Sequence, residues 1–310
     1  MKPKIFICCV CFLLVFLLRY PVLALSSARE GLRLWLYTMI PTLLPFLILT
    51  GILIRTEGIS RILEPFSPVT GKLLGLSGNG TYVMLLGLLC GYPMGAKLAH
   101  DLYCAGKISR REGEYLLTFC CNASPAFISS YLAASCLKNQ QATGEIFLIL
   151  FLSDLFCMAF FRFVVYRNHT TDNRFFNEIK KETPQHNSPG VILDVSIMNG
   201  FETITRLGGY ILLFSLLYAC ICHFWPLNPE IGKIVAGSLE LTTGLNRLAV
   251  TAYDPRLQYL CSMALTAFGG FCILAQTRSV LENRLSLLPY ITSKCLNTGI
   301  TALLVLANII

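Results

Sequence analysis

Asn122, Ser124 and Pro125 lie near the centre of an apolar run that extends from residue 115 to 137. Proline removes a backbone hydrogen bond from a helix and disfavours helical geometry at the residue before it. We therefore expect a broken helix whose freed carbonyl groups and N-terminal dipole end can hold an ion or an anionic group. The alternative is a proline kink whose polar side chains bind a neighbouring helix.

Three other short segments combine polar groups with helix-breaking residues in apolar surroundings. The string GYPMGAK offers close backbone approach and a tyrosine, and Glu240 in SLELTTG is a carboxylate that is costly in a membrane unless it is paired or protonated. Alternatives are a helix end at GYPMGAK, an ion pair of Glu240 with Arg247, and simple glycine packing in AFGGF. The predicted solute or ion pathway comprises Gly91, Tyr92, Pro93, Gly95, Asn122, Ser124, Pro125, Glu240, Thr242, Thr243, Gly244, Gly269, Gly270 and Gln276.

Two further charges lie within apolar runs, Asp154 in FLSDLF and Lys294 in the last run. Intramembrane charges usually pair with one another or mark ion and proton pathways. We predict that Asp154 and Lys294 form an ion pair or carry protons. The alternatives are pairing of Asp154 with Arg162 and a Lys294 side chain that reaches the lipid headgroups.

The composition indicates the elements that carry these residues. The 310 residues are 55% hydrophobic and only 14% charged, and the apolar residues form blocks close to the ~20 residues that cross a bilayer. We predict an all-α, polytopic membrane protein with about eight spans plus re-entrant or short broken helices. The spans are expected at 5–25, 34–54, 79–98, 115–137, 146–166, 207–225, 257–277 and 286–308, with re-entrant elements at 60–78 and 235–250.

Four regions follow from this segmentation. They are a membrane helix or signal anchor at 1–30, a first membrane half at 31–166, a hydrophilic cytoplasmic linker at 167–194 and a second half at 195–310. Basic residues favour the loops at 97–111, 167–206 and 278–284 on the cytoplasmic side. Short glycine-containing segments in both halves, GKLLGLSG with GSLELTTG and GYPMGAK with FGGFCILAQ, suggest an internal repeat.

Enzyme motifs, zinc-ligand spacings and cofactor-binding turns are not seen in the sequence. We expect no enzymatic activity, no metal and no cofactor. The net charge of +8 is spread between apolar blocks, so nucleic-acid binding is also not expected. The expected partners are the lipid bilayer, an unknown small solute or ion, and either further copies of the chain or other membrane proteins.

The strings IPTLLPFLILTGIL, GYPMGAKLAHDLYCAGKIS, CNASPAF, GSLELTTGLNRL and AFGGFCILAQ occur in this order across nearly the whole chain. In this respect the chain resembles the YlbJ family of sporulation integral membrane proteins. That family is similar to proteins with a gate, or nucleoside-recognition, domain, which also occurs in nucleoside and ferrous-iron transporters. The gate signature falls on Gly91 to Lys97 and Asn122 to Pro125, with second-half counterparts at Glu240 to Gly244 and Gly269 to Gln276.

The resemblance implies a role in spore cortex or envelope formation, in the membrane of the spore or of the mother cell. It also implies transport or gating of a small solute or ion. A non-transporting assembly protein that acts through the 167–194 linker is the alternative.

Overall fold

The computed structural model describes residues 3–56, 67–167, 188–224, 235, 237–250 and 254–309. These residues are almost entirely helical and contain no β-strand. Four helical segments are long and apolar enough to cross a membrane: Gln140–Val165, Pro189–Phe224, Pro255–Val280 and Leu288–Ala307. The predicted fold class, a polytopic helical membrane protein, is confirmed.

The N-terminal part is broken where a single span was expected at 5–25. Helix α1 (Pro3–Arg19) ends before Pro21, and α2 (Pro21–Leu34) leaves at a bend of 109°. Proline accounts for the break because it fits the first turn of a helix and not its interior. A π-helical turn at Trp35–Met39 joins α2 to α3 (Ile40–Arg55), so the proline-containing block at 34–54 continues an earlier helix.

The first half then folds into a hairpin of broken helices. After α4 (Ser67–Leu74), α5 (Gly78–Cys90) and α6 (Met94–Cys104) are separated at residues 91–93. Helix α7 (Arg110–Leu116) and helix α8 (Phe127–Cys136) are separated at residues 117–126. The expected span at 79–98 is therefore divided between α5 and α6, and the expected span at 115–137 contains only the end of α7 and the π-helical α8. Residues 60–66 of the expected re-entrant element at 60–78 lie outside the described residues.

Two long helices follow this hairpin in the chain. Helix α9 (Thr143–Phe160) continues in a π-turn to Val165, and α10 (Pro189–Phe224) packs against α2 and α3. Helix α10 begins within the segment expected to be a hydrophilic linker and 18 residues before the expected span at 207–225. Within this extension, Ser196 and Gly200 pack against Gly51 and Ile48 of α3. Residues 168–187 of the linker lie outside the described residues.

The second half contains a comparable hairpin. A turn at residues 238–240 precedes α11 (Leu241–Val250), whose ten residues are too few to cross a bilayer. Helix α12 (Pro255–Phe268) ends at Gly269, which has a left-handed backbone (φ +85°), and α13 (Gly270–Val280) follows directly. Helix α14 (Leu288–Ile309) closes the chain and packs against α9 and α12.

The two hairpins pack against each other through their arms. Helix α6 of the first hairpin packs against α13 of the second, and α8 packs against α11. The arm that follows the first break in one hairpin thus meets the arm that follows the second break in the other, which is the pairing expected when the two hairpins are related by a pseudo-twofold axis. By order, the 91–93 break corresponds to 238–240 and the 117–126 break to 269. This differs from the sequence-based alignment, which matched GYPMGAK to FGGFCILAQ.

Candidate functional site

Within the first hairpin the two breaks bind each other. The Tyr92 N–H donates to the carbonyl oxygen of Asn122 at 2.8 Å. Gly91 has φ +77°, and a Cβ atom there would lie 2.7 Å from the Ser124 nitrogen. A Cβ on Gly95 would overlap the Cys120 carbonyl oxygen. The glycines of GYPMG therefore allow one broken segment to lie directly on the other.

The second hairpin uses the same device. The N–H groups of Phe271 and Cys272 donate to the carbonyl oxygens of Ser238 (2.9 Å) and Leu239 (2.7 Å). Gly270 has φ +83°, and a Cβ there would lie 3.1 Å from the Ser238 oxygen. In each half, backbone groups that a broken helix leaves unpaired are satisfied by the other break, as a membrane interior requires.

A cavity of about 260 Å³, the central cavity, lies between the hairpins. Six of the predicted pathway residues line it, three from each half: Tyr92, Pro93 and Ser124, with Glu240, Thr242 and Gln276. The remaining wall is mostly apolar and includes the rings of Phe127 and Tyr131, which stack at 5.1 Å. The Tyr131 hydroxyl donates to the Thr242 carbonyl oxygen at 2.7 Å and so joins the hairpins at the cavity wall.

Glu240 is buried, with 4% of its surface exposed, and its carboxylate binds the N-terminus of its own helix. It accepts from the Thr243 N–H (2.6 Å), the Thr242 N–H (3.2 Å) and the Thr242 hydroxyl (2.7 Å). The helix dipole favours a negative charge at this position. Arg247, the alternative partner of Glu240, lies 3.8 Å from the Glu30 carboxylate.

The other predicted residues take different places. Thr243 lines a polar cavity of about 420 Å³ beside α2, which we call the second vestibule; the first is described below. The second vestibule shares Thr38, Tyr131 and Thr242 with the central cavity. Gly244 allows close packing, since a Cβ there would lie 2.8 Å from the Gly237 backbone. Gly269 ends α12. Asn122 and Pro125 instead line a side cavity of about 140 Å³, together with Asp154 and Asn297.

The structure brings Asp154 and Lys294 into one buried cluster with Asn122 and Asn297. Lys294 is 2% exposed and donates to the Asn122 amide oxygen at 2.5 Å, so it does not extend to the headgroups. Asp154 accepts from the Asn297 amide at 2.6 Å. The alternative partner Arg162 instead donates to the Tyr166 carbonyl.

A first vestibule of about 500 Å³ lies where the three loops expected on the cytoplasmic side meet. Its lining includes one residue from each of these loops: Lys97, Arg206 and Glu282. Arg206 lies 3.6 Å from Glu282. It shares no lining residue with the central cavity. Buried apolar side chains of one cluster lie between them: Leu43, Leu47, Met94 and Leu207.

Glu112 was missed by the sequence analysis. It is buried, and its carboxylate accepts from the Ser77 N–H at 2.7 Å, at the start of α5. Gly80, in the same first turn of α5 as Ser77, has no room for a Cβ because the Glu112 carboxylate occupies that space. The signal in the sequence was the capping-box pattern from Ser109 to Glu112 at a helix start, which is too common to single out.

Among the described residues, no group of three or more His, Cys, Asp or Glu side chains is placed to hold a metal ion. The polar groups at the centre are amides, hydroxyls, one ammonium and two carboxylates. This set can bind a small solute through hydrogen bonds and can balance one positive against one negative charge.

Residues 36–169 match the family described as "Gate: Nucleoside recognition". The chain is also 24% identical to the sporulation integral membrane protein YlbJ of Bacillus subtilis (strain 168), over 95% of this chain and 80% of that protein. No solved structure matches significantly. The resemblance expected from the motifs is confirmed: this chain is similar to YlbJ over nearly its whole length and carries a Gate region in its first half.

Proposed function

We propose that the chain is a transporter or gated permease for a small solute, with the central cavity as its binding site. One observation carries the proposal: the cavity lies where two broken-helix hairpins meet, and both hairpins contribute polar groups to it. Transporters built from internal repeats place their binding sites between the repeats, at broken helices.

The two vestibules support a route through the molecule. The central cavity is continuous in its lining with the second vestibule and separated from the first by buried apolar side chains. Such an arrangement fits a site that is accessible from one side at a time. Opening toward the first vestibule would require the apolar layer that includes Met94 and Leu207 to separate.

The wall of the cavity suggests the class of solute. Aromatic rings of Tyr92, Phe127 and Tyr131 offer flat apolar surfaces, and the Tyr92 hydroxyl is buried with no hydrogen-bond partner. Gln276 contributes an amide, while the Glu240 carboxylate is already bound by its own helix. We infer a solute with a flat, largely apolar body and one hydrogen-bonding edge, and the name of the Gate family makes nucleosides the first probe.

The likeness to YlbJ suggests when the protein acts. We infer that it is a non-enzymatic membrane protein of sporulating cells, in the spore or mother-cell membrane, whose solute is needed for the cortex or envelope. Further copies of the chain and other spore membrane proteins are the partners to test.

A cavity-filling substitution tests the proposal. Ser129 and Ser130 are both exposed, but only Ser130 lines the central cavity. Both hydroxyls donate to the same Ala126 carbonyl, which makes the pair well matched. In a spore-forming host that lacks its YlbJ-like protein, Ser130→Phe should abolish complementation of heat-resistant spore counts, and Ser129→Phe should retain it at equal membrane abundance.

The rival function is a membrane assembly protein that acts through the hydrophilic linker. Deletion of residues 168–187 would then abolish complementation while Ser130→Phe leaves it intact, and that pair of results would overturn the transport proposal. Uptake of radiolabelled uridine and adenosine into proteoliposomes, blocked by Ser130→Phe alone, would identify the solute class directly.

A further inference from the structure

Lys294 lies at the crossing of the two hairpins. Its ammonium group donates to the Asn122 amide oxygen at 2.5 Å, in the break of the first hairpin. It also lies 3.4 Å from the Ala267 carbonyl oxygen, at the end of α12 beside the break of the second. One side chain of α14 therefore connects both breaks through oxygen atoms.

This environment suits a monovalent cation. The last carbonyl groups of a helix have no partner within it, and they form the negative end of its dipole. The rings of Tyr92 and Tyr290 lie 5.6 and 5.7 Å from the ammonium nitrogen, within the range of cation–π attraction. Amide oxygen, helix-end carbonyl and ring faces are all groups that attract a positive charge.

A carboxylate belongs to the same cluster. Asp154 accepts from the Asn297 amide, one turn along α14 from Lys294, and lines the side cavity together with Asn122, which accepts from the Lys294 ammonium. The Asn297 oxygen in turn accepts from the hydroxyls of Ser153 and, at 3.4 Å, Thr301. The side cavity reaches the oxygen atoms of this cluster, since Asn122, Asp154 and Asn297 all line it.

We propose that the Lys294 ammonium is a tethered cation. It permanently fills a monovalent-cation site between the two hairpins, so that the protein holds this crossing together without free sodium or potassium. This assignment does not depend on what the central cavity binds. It predicts that removal of the side chain leaves a vacant site that a free cation can enter from the side cavity.

Chemical rescue tests the assignment in purified full-length protein in detergent. Thermal unfolding of Lys294→Ala is measured in N-methyl-D-glucamine chloride and, at equal ionic strength, in sodium, potassium or methylammonium chloride. At least one small cation should raise the Tm of the variant saturably, by roughly 5 °C or more. The wild-type Tm should be the same in all four salts.

Lys97→Ala is the matched control, because Lys97 forms an ion pair with Asp101 at the first vestibule, away from the crossing. It should respond to the salts as the wild type does. A saturable rise of the wild-type Tm with sodium would overturn the assignment. So would a Lys294→Ala protein that none of the three cations stabilises beyond the Lys97→Ala control.

A second variant decides the question if Lys294→Ala yields no folded protein in any salt. Loss of one member of a buried charge pair is far more damaging than loss of both. Lys294→Ala combined with Asp154→Asn should then recover folded protein with a Tm that is indifferent to the cation. A double variant that is as unstable as Lys294→Ala would show that Asp154 is not the counter-charge.

Discussion

Substitution of Gly95 by alanine sets two effects of opposite sign against each other. Gly95 lies in the first turns of α6, where helix propensity alone favours alanine by about 1 kcal/mol. The added methyl group would overlap the Cys120 carbonyl oxygen and lie 2.7 Å from the carbonyl carbon. Because both of these atoms are backbone, no side-chain rotation can relieve the contact.

The size of the destabilisation depends on how far the 120–124 segment must shift to admit the added methyl group. Overpacking of an interior site costs about 1–3 kcal/mol. A shift of the 120–124 segment also weakens the bond from the Tyr92 N–H to the Asn122 carbonyl, and a buried group left unpaired costs about 1–3 kcal/mol. After the gain in propensity is subtracted, Gly95→Ala should destabilise the protein by about 1–5 kcal/mol.

The chain supplies its own probe for this measurement. Cys90, Cys120, Cys121 and Cys157 are buried and free, so a thiol-reactive fluorogenic dye reports unfolding when they become accessible. At roughly 2–4 °C per kcal/mol, Gly95→Ala should lower Tm by several degrees.

Gly299→Ala is the control, because Gly299 is also helical but has no atom within 4 Å of its added Cβ. Its Tm should stay level or rise. If Gly95→Ala is as stable as Gly299→Ala, the two breaks are not packed against each other as described.

Two carboxylates allow further tests. Glu240→Ala removes the cap of α11 and should cost about 0.5–2 kcal/mol, whereas Glu240→Gln keeps an acceptor and should cost less; equal Tm losses would contradict the capping role. For Glu112, burial is the largest influence and raises the pKa above its ordinary 4.5, although the Ser77 hydrogen bonds oppose it. The folded state then favours the protonated form, so this contribution to stability is present at low pH and is lost as the pH rises through the raised pKa. Glu112→Gln should flatten that part of the Tm–pH profile, and an unchanged profile would refute the assignment.

The membrane class and the positions of the breaks could be predicted from the sequence. Proline and glycine change the backbone locally, so Pro125 and the glycines of GYPMG and AFGG mark breaks without knowledge of the fold. The ends of the long helices were less predictable. Helix α10 extends beyond the expected span because Ser196 and Gly200 pack against α3, and a hydropathy average does not contain that information.

The roles of individual side chains depended on long-range contacts. Glu240 and Lys294 were both recognised as costly charges, yet one binds its own helix end and the other binds Asn122, which is 172 residues away in sequence. The sequence-based alignment of the two halves also lacked this long-range information. Similar strings suggested one alignment, and the contacts of α6 with α13 and of α8 with α11 indicate another.

The bonds between breaks have a consequence for synthesis of the chain. A protein inserted from its N-terminus places its first half in the lipid before the second half exists. The Tyr92–Asn122 bond lies wholly within that first half, and the Ser238–Phe271 bond lies wholly within the second. Each half can therefore close its own backbone on leaving the insertion machinery, and only side-chain contacts such as Lys294 to Asn122 must wait for the halves to dock.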